Sequence, residues 1–358
     1  MVGPYPPPEG GWSTAIREER EALERRGIEC KVLNLGPRRK EKNGEFIRVR
    51  NGFDLGLKLL WFSLRGYVFR LHMNGDSPKG MMIVLAAEKL NLLFFKRPCL
   101  SFHAGVEQRH FPDRGNPFLK LVWSVIFNFS KVVVCDHEAV KELIVRYKAD
   151  TGGVYAVSPF SPARAKFRPA RLSLEQEAFL ASRKPLLFSY FAYRPEYDLD
   201  TFFDALARLK SVVPGFGCVA VDDRSFPDSS VMSRAHETIA EKGLEGSVLL
   251  VGHVDRDEFL TLLGRSDLFV RTPATDGVCS SVLESLSLGV PVVAAGNACR
   301  PETVVTYASG NAGDLFSKLV SAVGRLEELR GTMRAGRVAA EDGAEKLAAI
   351  IEERYWPQ

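Results

Sequence analysis

Short apolar runs alternate with helical segments twice over along this chain of 358 residues, and that alternation admits few folds. Strand-like runs of β-branched and aromatic residues separated by helices read as βαβ units, whose strands lie parallel and whose helices cover both faces of a sheet. The first series has a helix over 14–26 stopped by Gly27, a strand over 29–33, a helix over 82–88, and a strand over 98–102 leading to His103. It continues with a strand over 131–135, a helix near 137–147 and a strand over 154–158. A basic, turn-rich segment over 159–170 and a charged helix near 175–182 lead into the second series. Its strands cover 186–190, 217–221, 248–251, 268–270 and 291–294, with helices between them. The expected class is α/β, with one Rossmann-like, doubly wound domain over 1–165 and another over 166–343. A last helix, 344–358, is expected to pack back on the first.

Composition removes several classes of function. A net charge of +4 falls far short of what a dedicated nucleic-acid binder carries. The longest apolar stretches, 81–95 and 118–129, are broken by Glu88, Lys89 and Lys120 or are too short to span a bilayer. The start, Met1-Val-Gly-Pro-Tyr-Pro-Pro-Pro, lacks the basic-then-apolar order of a signal peptide, so the expected location is the cytoplasm. Six cysteines without metal-ligand spacing read as reduced core residues. His72, His137, His236 and His253 show no ligand spacing either, and no metal site is expected.

The most informative stretch follows the strand over 268–270. A polar loop, Arg271 to Cys279, leads to a helix that Ser280 or Ser281 is expected to cap and Gly289 to stop, and Pro291-Val-Val-Ala-Ala opens the next strand. A strand, loop and helix in this order aim free N–H groups and the positive helix end above the sheet, a place for phosphate. Asp276 and Glu284 flank that place, and carboxylates there accept hydrogen bonds from sugar hydroxyls. Phosphate beside sugar means a nucleotide-sugar.

These residues resemble the Glu-x7-Glu signature of retaining family-4 (group 1) glycosyltransferases of the GT-B fold, with Asp276 at the first acidic position, Glu284 at the second and Gly289-Val-Pro-Val-Val as the following strand. The resemblance implies two Rossmann-like domains facing across a cleft, with Glu284 on the donor ribose. Asp276 and the loop of Gly277, Val278, Cys279 and Ser280 would meet the donor sugar and diphosphate. His103, at a strand end where ligands collect, takes the family's position close to the transferring sugar. Gly10 and Gly11, running straight into a helix, resemble the first loop, where glycines let the backbone approach phosphate. Only Met1 and Val2 precede that loop's Gly3, so the first strand is expected to be unusually short or to begin upstream of Met1.

The chain departs from the family at its cation pair. Aligning the helix that starts near Asp200 puts Ala192 at the usual Arg and Tyr197-Asp198 at the usual Lys-Gly. Arg194, in the same loop, is the expected substitute, with Arg271 and Arg300 next. Asp198-Leu-Asp200 and Asp255-Arg-Asp257 read as helix caps and first-turn acids. The resemblance implies a retaining, metal-independent hexosyltransferase for surface polysaccharide, using a UDP- or GDP-linked sugar as co-substrate and no cofactor. A glycan or polyprenyl-diphosphate-linked sugar would be the acceptor, and catalysis would rest on His103, Asp276 and Glu284. Stretches 57–70 and 117–129, aromatic and scattered with bases, would suit a domain resting on the inner face of the plasma membrane. The rival functions are an inactive nucleotide-binding scaffold, consistent with the missing cations, and a sugar-nucleotide epimerase built on the same twin sheets.

Overall fold

The computed structural model describes residues 1–7, 11–41, 44–161, 166–224, 227–335 and 342–356. They form two compact units, Met1–Ser161 with Asp276–Val278 and Glu341–Gln358, and Pro162–Thr275 with Cys279–Ala340.

The first unit holds strands β1 (Val2–Gly3), β2 (Leu33–Asn34), β3 (Arg70–Met73), β4 (Cys99–Phe102), β5 (Val132–Cys135) and β6 (Val154–Ala156). All are parallel, in the order β2-β1-β3-β4-β5-β6. Its helices are α1 (Gly11–Arg25), α2 (Gly52–Leu64), α3 (Pro78–Leu93), α4 (Pro117–Phe129) and α5 (Glu138–Ile144). The first strand is indeed short, two residues. The strand expected over 29–33 is confined to Leu33–Asn34, because Val2 and Gly3 offer the ladder only two residues to pair with. Gly3 makes room for its neighbours: a Cβ there would lie 2.8 Å from Cδ1 of Ile16 and 3.1 Å from the Cβ of His72 on the neighbouring strand, so both would have to shift. An aromatic cluster of Phe102, Phe111, Trp123 and Phe127 fills the core beneath α4, ring against ring.

The second unit holds β7 (Leu186–Ala192), β8 (Gly217–Asp223), β9 (Val248–Leu250), β10 (Leu268–Arg271), β11 (Val292–Ala295) and β12 (Val305–Tyr307), again parallel, in the order β12-β11-β10-β7-β8-β9. Helices α6 (Leu174–Ser182), α7 (Leu199–Val212), α8 (Ser229–Glu241), α9 (Arg256–Gly264), α10 (Ser280–Leu288), α11 (Ala312–Gly324) and α12 (Leu326–Ala335) accompany it. Alternate residues of each strand feed two cores. Leu187, Phe191 and Val270 pack with Phe202, Phe203 and Leu206 of α7 on one face, while Phe188, Val219 and Phe269 pack with Leu260 and Leu263 of α9 on the other.

Helix α13 (Gly343–Tyr355) lies on α1: Leu347, Ala348 and Ile351 bury against Ala22 and Leu23. Arg25 and Arg26 close the edge through Glu345 and Glu352, each pair at 2.7 Å.

One buried acid sets a pH dependence. Glu88 of α3 is fully buried, its Oε1 accepts from Ser130 Oγ at 2.8 Å, and burial pushes its carboxyl up to about 8. The folded chain therefore holds a proton on Glu88 that the unfolded chain releases near 4.5, so stability falls as pH rises from about 4.5 to 8. Each pH step of one between those values removes roughly 1.4 kcal/mol, so the whole loss is on the order of a few kcal/mol. Glu88→Gln keeps the shape and cannot ionise. Urea unfolding of both proteins between pH 5 and 8 should show the variant gaining on the parent by about 2 kcal/mol or more at the alkaline end; parallel pH profiles would show that Glu88 ionises freely in the fold.

Candidate functional site

In the second sheet the chain leaves β7 toward β8 on one side and β10 toward β11 on the other. The adjacent pair β7 and β10 is thus the point where strand order reverses, and ligands collect at the carboxyl ends of strands there. Two helices begin just beyond those ends. Helix α10 starts after Cys279, whose side chain makes no capping bond, and α7 starts after Asp198, which makes none either. Elsewhere Asn51, Ser77, Asn116, Asp228 and Asp255 cap helices with side-chain bonds. The expected serine cap on α10 is corrected: Ser280 is already helical, and the Oγ of Ser281 sits 3.2 Å from the sulfur of Cys279. No cap side chain covers the leading N–H groups of either helix, and the positive helix ends favour an anion.

Glu284 lies one turn into α10 and is almost fully buried. Its Oε1 accepts from Nη2 of Arg256 on α9 at 3.0 Å, a partner 28 residues distant that no motif or spacing in the chain singles out. The loop entering α10 is tied back by its carbonyls. Arg300 donates to Pro273 O at 2.7 Å and Ala295 O at 3.1 Å, and Asn297 donates to Ala274 O at 3.1 Å. Asp276, Gly277, Val278, Cys279 and Ser280 then run into the helix half-buried.

The departures at the cation pair have a clear geometry. Ala192 ends β7, and Tyr197 ends a short turn, Pro195–Tyr197. Asp198, aligned with the family glycine, has φ 46°, the left-handed conformation that glycine adopts without strain and aspartate only rarely. Arg271, at the end of β10, fills the neighbourhood: its guanidinium lies 5.1 Å from the ring centre of Tyr197 and 5.6 Å from that of Tyr190, and donates to Tyr190 O at 2.9 Å. Arg271 and Arg300 are buried, whereas Arg194 is exposed, with Glu196 at 3.9 Å. Of the three, Arg194 has the freedom to meet a ligand.

The two Asp-x-Asp triplets have structural work. Asp255 caps α9 through Glu258 N, and Asp257 accepts from Arg168 N. Asp200 pairs with Arg234 at 2.9 Å, and Asp198 occupies the cap position of α7 without a capping bond, a correction to the expected side-chain cap.

In the first unit His103 follows β4 and belongs to a polar chain that includes a residue given no role from sequence. His72 of β3 places Nδ1 3.1 Å from Nε2 of His103, and Nδ1 of His103 lies 3.3 Å from Oδ1 of Asp136, just past β5. Beneath them the buried Arg70 of β3 pairs with Glu19 of α1 and reaches Ser101 Oγ. Burial, with the charge of Arg70 and the nearby His103, holds the His72 pKa well below its ordinary 6.5. Trp12, on the first turn of α1, lays its ring 5.2 Å from that of His103. Gly11 opens α1 and so lies beside this cluster, while Gly10 falls outside the described residues. Both ring nitrogens of His103 are engaged. A carboxylate only accepts, so His103 carries a proton on Nδ1 toward Asp136, while its Nε2 faces Nδ1 of a neutral His72. A sugar hydroxyl that engages this imidazole must replace one of those partners.

Comparison with known proteins agrees with this architecture. Residues 172–332 match the family model described as glycosyl transferases group 1. The lipopolysaccharide core biosynthesis mannosyltransferase LpsB of Rhizobium meliloti (strain 1021) is 30% identical over 102 residues, a match spanning 28% of this chain and 28% of that protein. A glycosyltransferase from Rickettsia africae superposes with a TM-score of 0.74 at 19% identity, covering 100% of this chain and 98% of the other. Anabaena Alr3699/HepE, solved in complex with UDP, superposes at 0.67 and 14% identity, covering 99% and 94%. The fold is GT-B, with two Rossmann-like domains.

The His72–His103 arrangement is open to direct test. Imidazole 15N NMR should show His72 neutral and not titrating between about pH 5.5 and 8, with His103 carrying a proton on Nδ1. Asp136→Asn should release His103 into mixed tautomers; an imidazolium signal from His72 near neutral pH would overturn the assignment. Because only the unfolded chain protonates His72 below 6.5, the folded state also loses stability as pH falls through that value.

Proposed function

We propose that the chain is a retaining, metal-independent glycosyltransferase that moves a hexose from a nucleotide diphosphate donor to a glycan or lipid-linked sugar of a surface polysaccharide. One observation carries the reading. Within the region matching the group 1 family, the acid pair Asp276 and Glu284 brackets a helix start without a side-chain cap, at the reversal point of a parallel sheet. Positive helix ends take the diphosphate, and carboxylates take sugar hydroxyls.

In this reading the second unit holds the donor. Glu284 meets the ribose hydroxyls; a carboxylate accommodates about four hydrogen bonds, so ribose can join without displacing Arg256. Asp276 and the Gly277, Val278, Cys279 and Ser280 loop contact the sugar and phosphates. Arg194 adds mobile positive charge, and Arg271 adds fixed positive potential near Tyr197, which together stabilise the diphosphate as it leaves. The first unit supplies the acceptor side with Gly10 and Gly11, and His103 orients the sugar. A donor phosphate oxygen takes the acceptor proton on the same face, so no protein nucleophile is needed and the anomeric configuration is retained. The mannosyltransferase relative supports a hexose, and the UDP-bound fold relative supports a UDP carrier.

A sugar-nucleotide epimerase would share the twin sheets, and likeness of fold does not separate the two; the group 1 match favours transfer. A second reading, nucleotide binding without turnover, is favoured by Tyr197 and Ala192 standing where the family has Lys and Arg.

Calorimetry with UDP, GDP, ADP and CMP, with and without Mg2+, should find one nucleotide that binds saturably without metal. Glu284→Gln should weaken it at least about ten-fold, the equivalent of roughly 1.4 kcal/mol, while the fold persists by thermal melting. Incubation with the matching nucleotide-sugars then separates the readings, since release of nucleotide into acceptor product establishes transfer and binding without turnover establishes the scaffold. Binding unchanged in Glu284→Gln would sink the ribose assignment.

A further inference from the structure

The solvent side of α2 is apolar from end to end. Its outward positions are Phe53, Gly56, Leu57, Leu60, Trp61 and Leu64, spaced by three and four residues along one helix face. The five side chains among them are 40% to 78% exposed, while Leu55, Leu59 and Phe62 bury the opposite face. A helix at the surface of a folded unit normally puts charge where these residues stand. The pattern continues on the next two helices. Met82 and Leu93 of α3 are at least 70% exposed, Phe95 just beyond it is fully exposed, and Phe118 and Leu121 of α4 exceed 60%. Helix α2 packs on α3 and α3 on α4. All three cross between strands running the same way through the sheet, so right-handed crossovers place them in one layer on one face. The outer side of that layer is a broad apolar surface, larger than isolated exposed residues produce.

Bases rim it. Between residues 50 and 97 the exposed charged side chains are Arg50, Arg65, Lys79, Lys89 and Arg97, against a single exposed acid, Asp76. The Arg65 guanidinium lies over the Trp61 ring at 4.4 Å, coupling charge to the apolar stripe as at a membrane interface.

We propose that the α2–α4 face of the first unit docks on an anionic lipid bilayer, with Leu57, Trp61 and Leu64 entering the headgroup boundary and the basic rim meeting lipid phosphates. A second copy of the chain is a poorer occupant: a symmetric pairing of this face sets base against base, whereas an anionic leaflet complements both the apolar stripe and its rim. The docking is independent of the donor chemistry, and the two can fail separately.

The full chain is mixed with sedimentable vesicles of phosphatidylcholine alone or with about 30 mol% phosphatidylglycerol, an anionic content typical of such leaflets. Binding should require the anionic lipid and fall in high salt. Leu57→Ser with Trp61→Ser should lower the partition coefficient at least about ten-fold, and Arg65→Glu with Lys89→Glu should do likewise, with nucleotide binding and melting temperature unchanged. Equal binding to neutral vesicles, no binding to anionic ones, or full binding by both double variants would overturn the proposal. So would a concentration-dependent dimer in the ultracentrifuge that the Leu57, Trp61 variant abolishes, which would assign the face to a second copy.

Discussion

A parallel strand cannot turn straight back beside its neighbour, and most of the molecule follows from that constraint. Each crossover needs a helix, the helices bury both sheet faces, and every strand ends at the same edge. Loops and helix starts therefore accumulate at that edge. Where strand order reverses, between β7 and β10 in one sheet and β1 and β3 in the other, the adjoining crossovers diverge to opposite faces. Asp198, Arg271 and the start of α10 stand at or beside this point in the second unit, and His72, His103 and Trp12 in the first. Sheet topology places them, although they are scattered along the chain.

Much of the second unit was legible in the sequence because its two longest strands, β7 and β8, are apolar runs that open at Pro185 and Gly217. Leu186–Ala192 and Gly217–Asp223 needed only one or two more residues than their apolar cores. The first unit was less legible for a physical reason. Strand β3 reads Arg70-Leu-His-Met, a pattern that does not look like buried strand until Glu19 of α1 neutralises Arg70 and His103 receives His72. Strands β1 and β2, of two residues each, carry too little pattern to fix their bounds, and the strand expected over 29–33 meets β2 only at Leu33. In the site, the spacing of Asp276 and Glu284 was visible, but their surroundings were not. Arg256, Tyr190 and Asp136 enter through contacts between elements, and spacing along a chain does not encode these.

Helix α2 shows a different limit. Apart from the Asp54–Lys58 pair and Ser63 its sequence is apolar, which normally means burial on more than one face. Packing covers only one face, and the sequence alone could not separate core from exposed stripe, since both use leucine and phenylalanine at helical spacing. The structure separates them by what lies beneath. Leu55, Leu59 and Phe62 are buried within the unit, while Phe53, Leu57 and Trp61 remain in water, where nothing in the fold itself favours them.

The cation exchange near β7 has its own logic. Tyr197 and Asp198 stand where the sequence resemblance implies lysine and glycine, and Asp198 holds φ 46°, a conformation glycine adopts without strain. That conformation costs an aspartate on the order of 1 kcal/mol, which the surrounding packing must offset. The offset is visible in Tyr197: its carbonyl accepts from Thr272 Oγ1 at 2.5 Å, and its ring lies under the Arg271 guanidinium. The turn and the strand end are thus joined by one tyrosine, and positive charge returns to the edge from β10 instead of from the turn. Because Arg271 is pinned to Tyr190 O, its charge is fixed in place, and a fixed charge at a dry sheet edge stabilises an anion without reorganising to meet it.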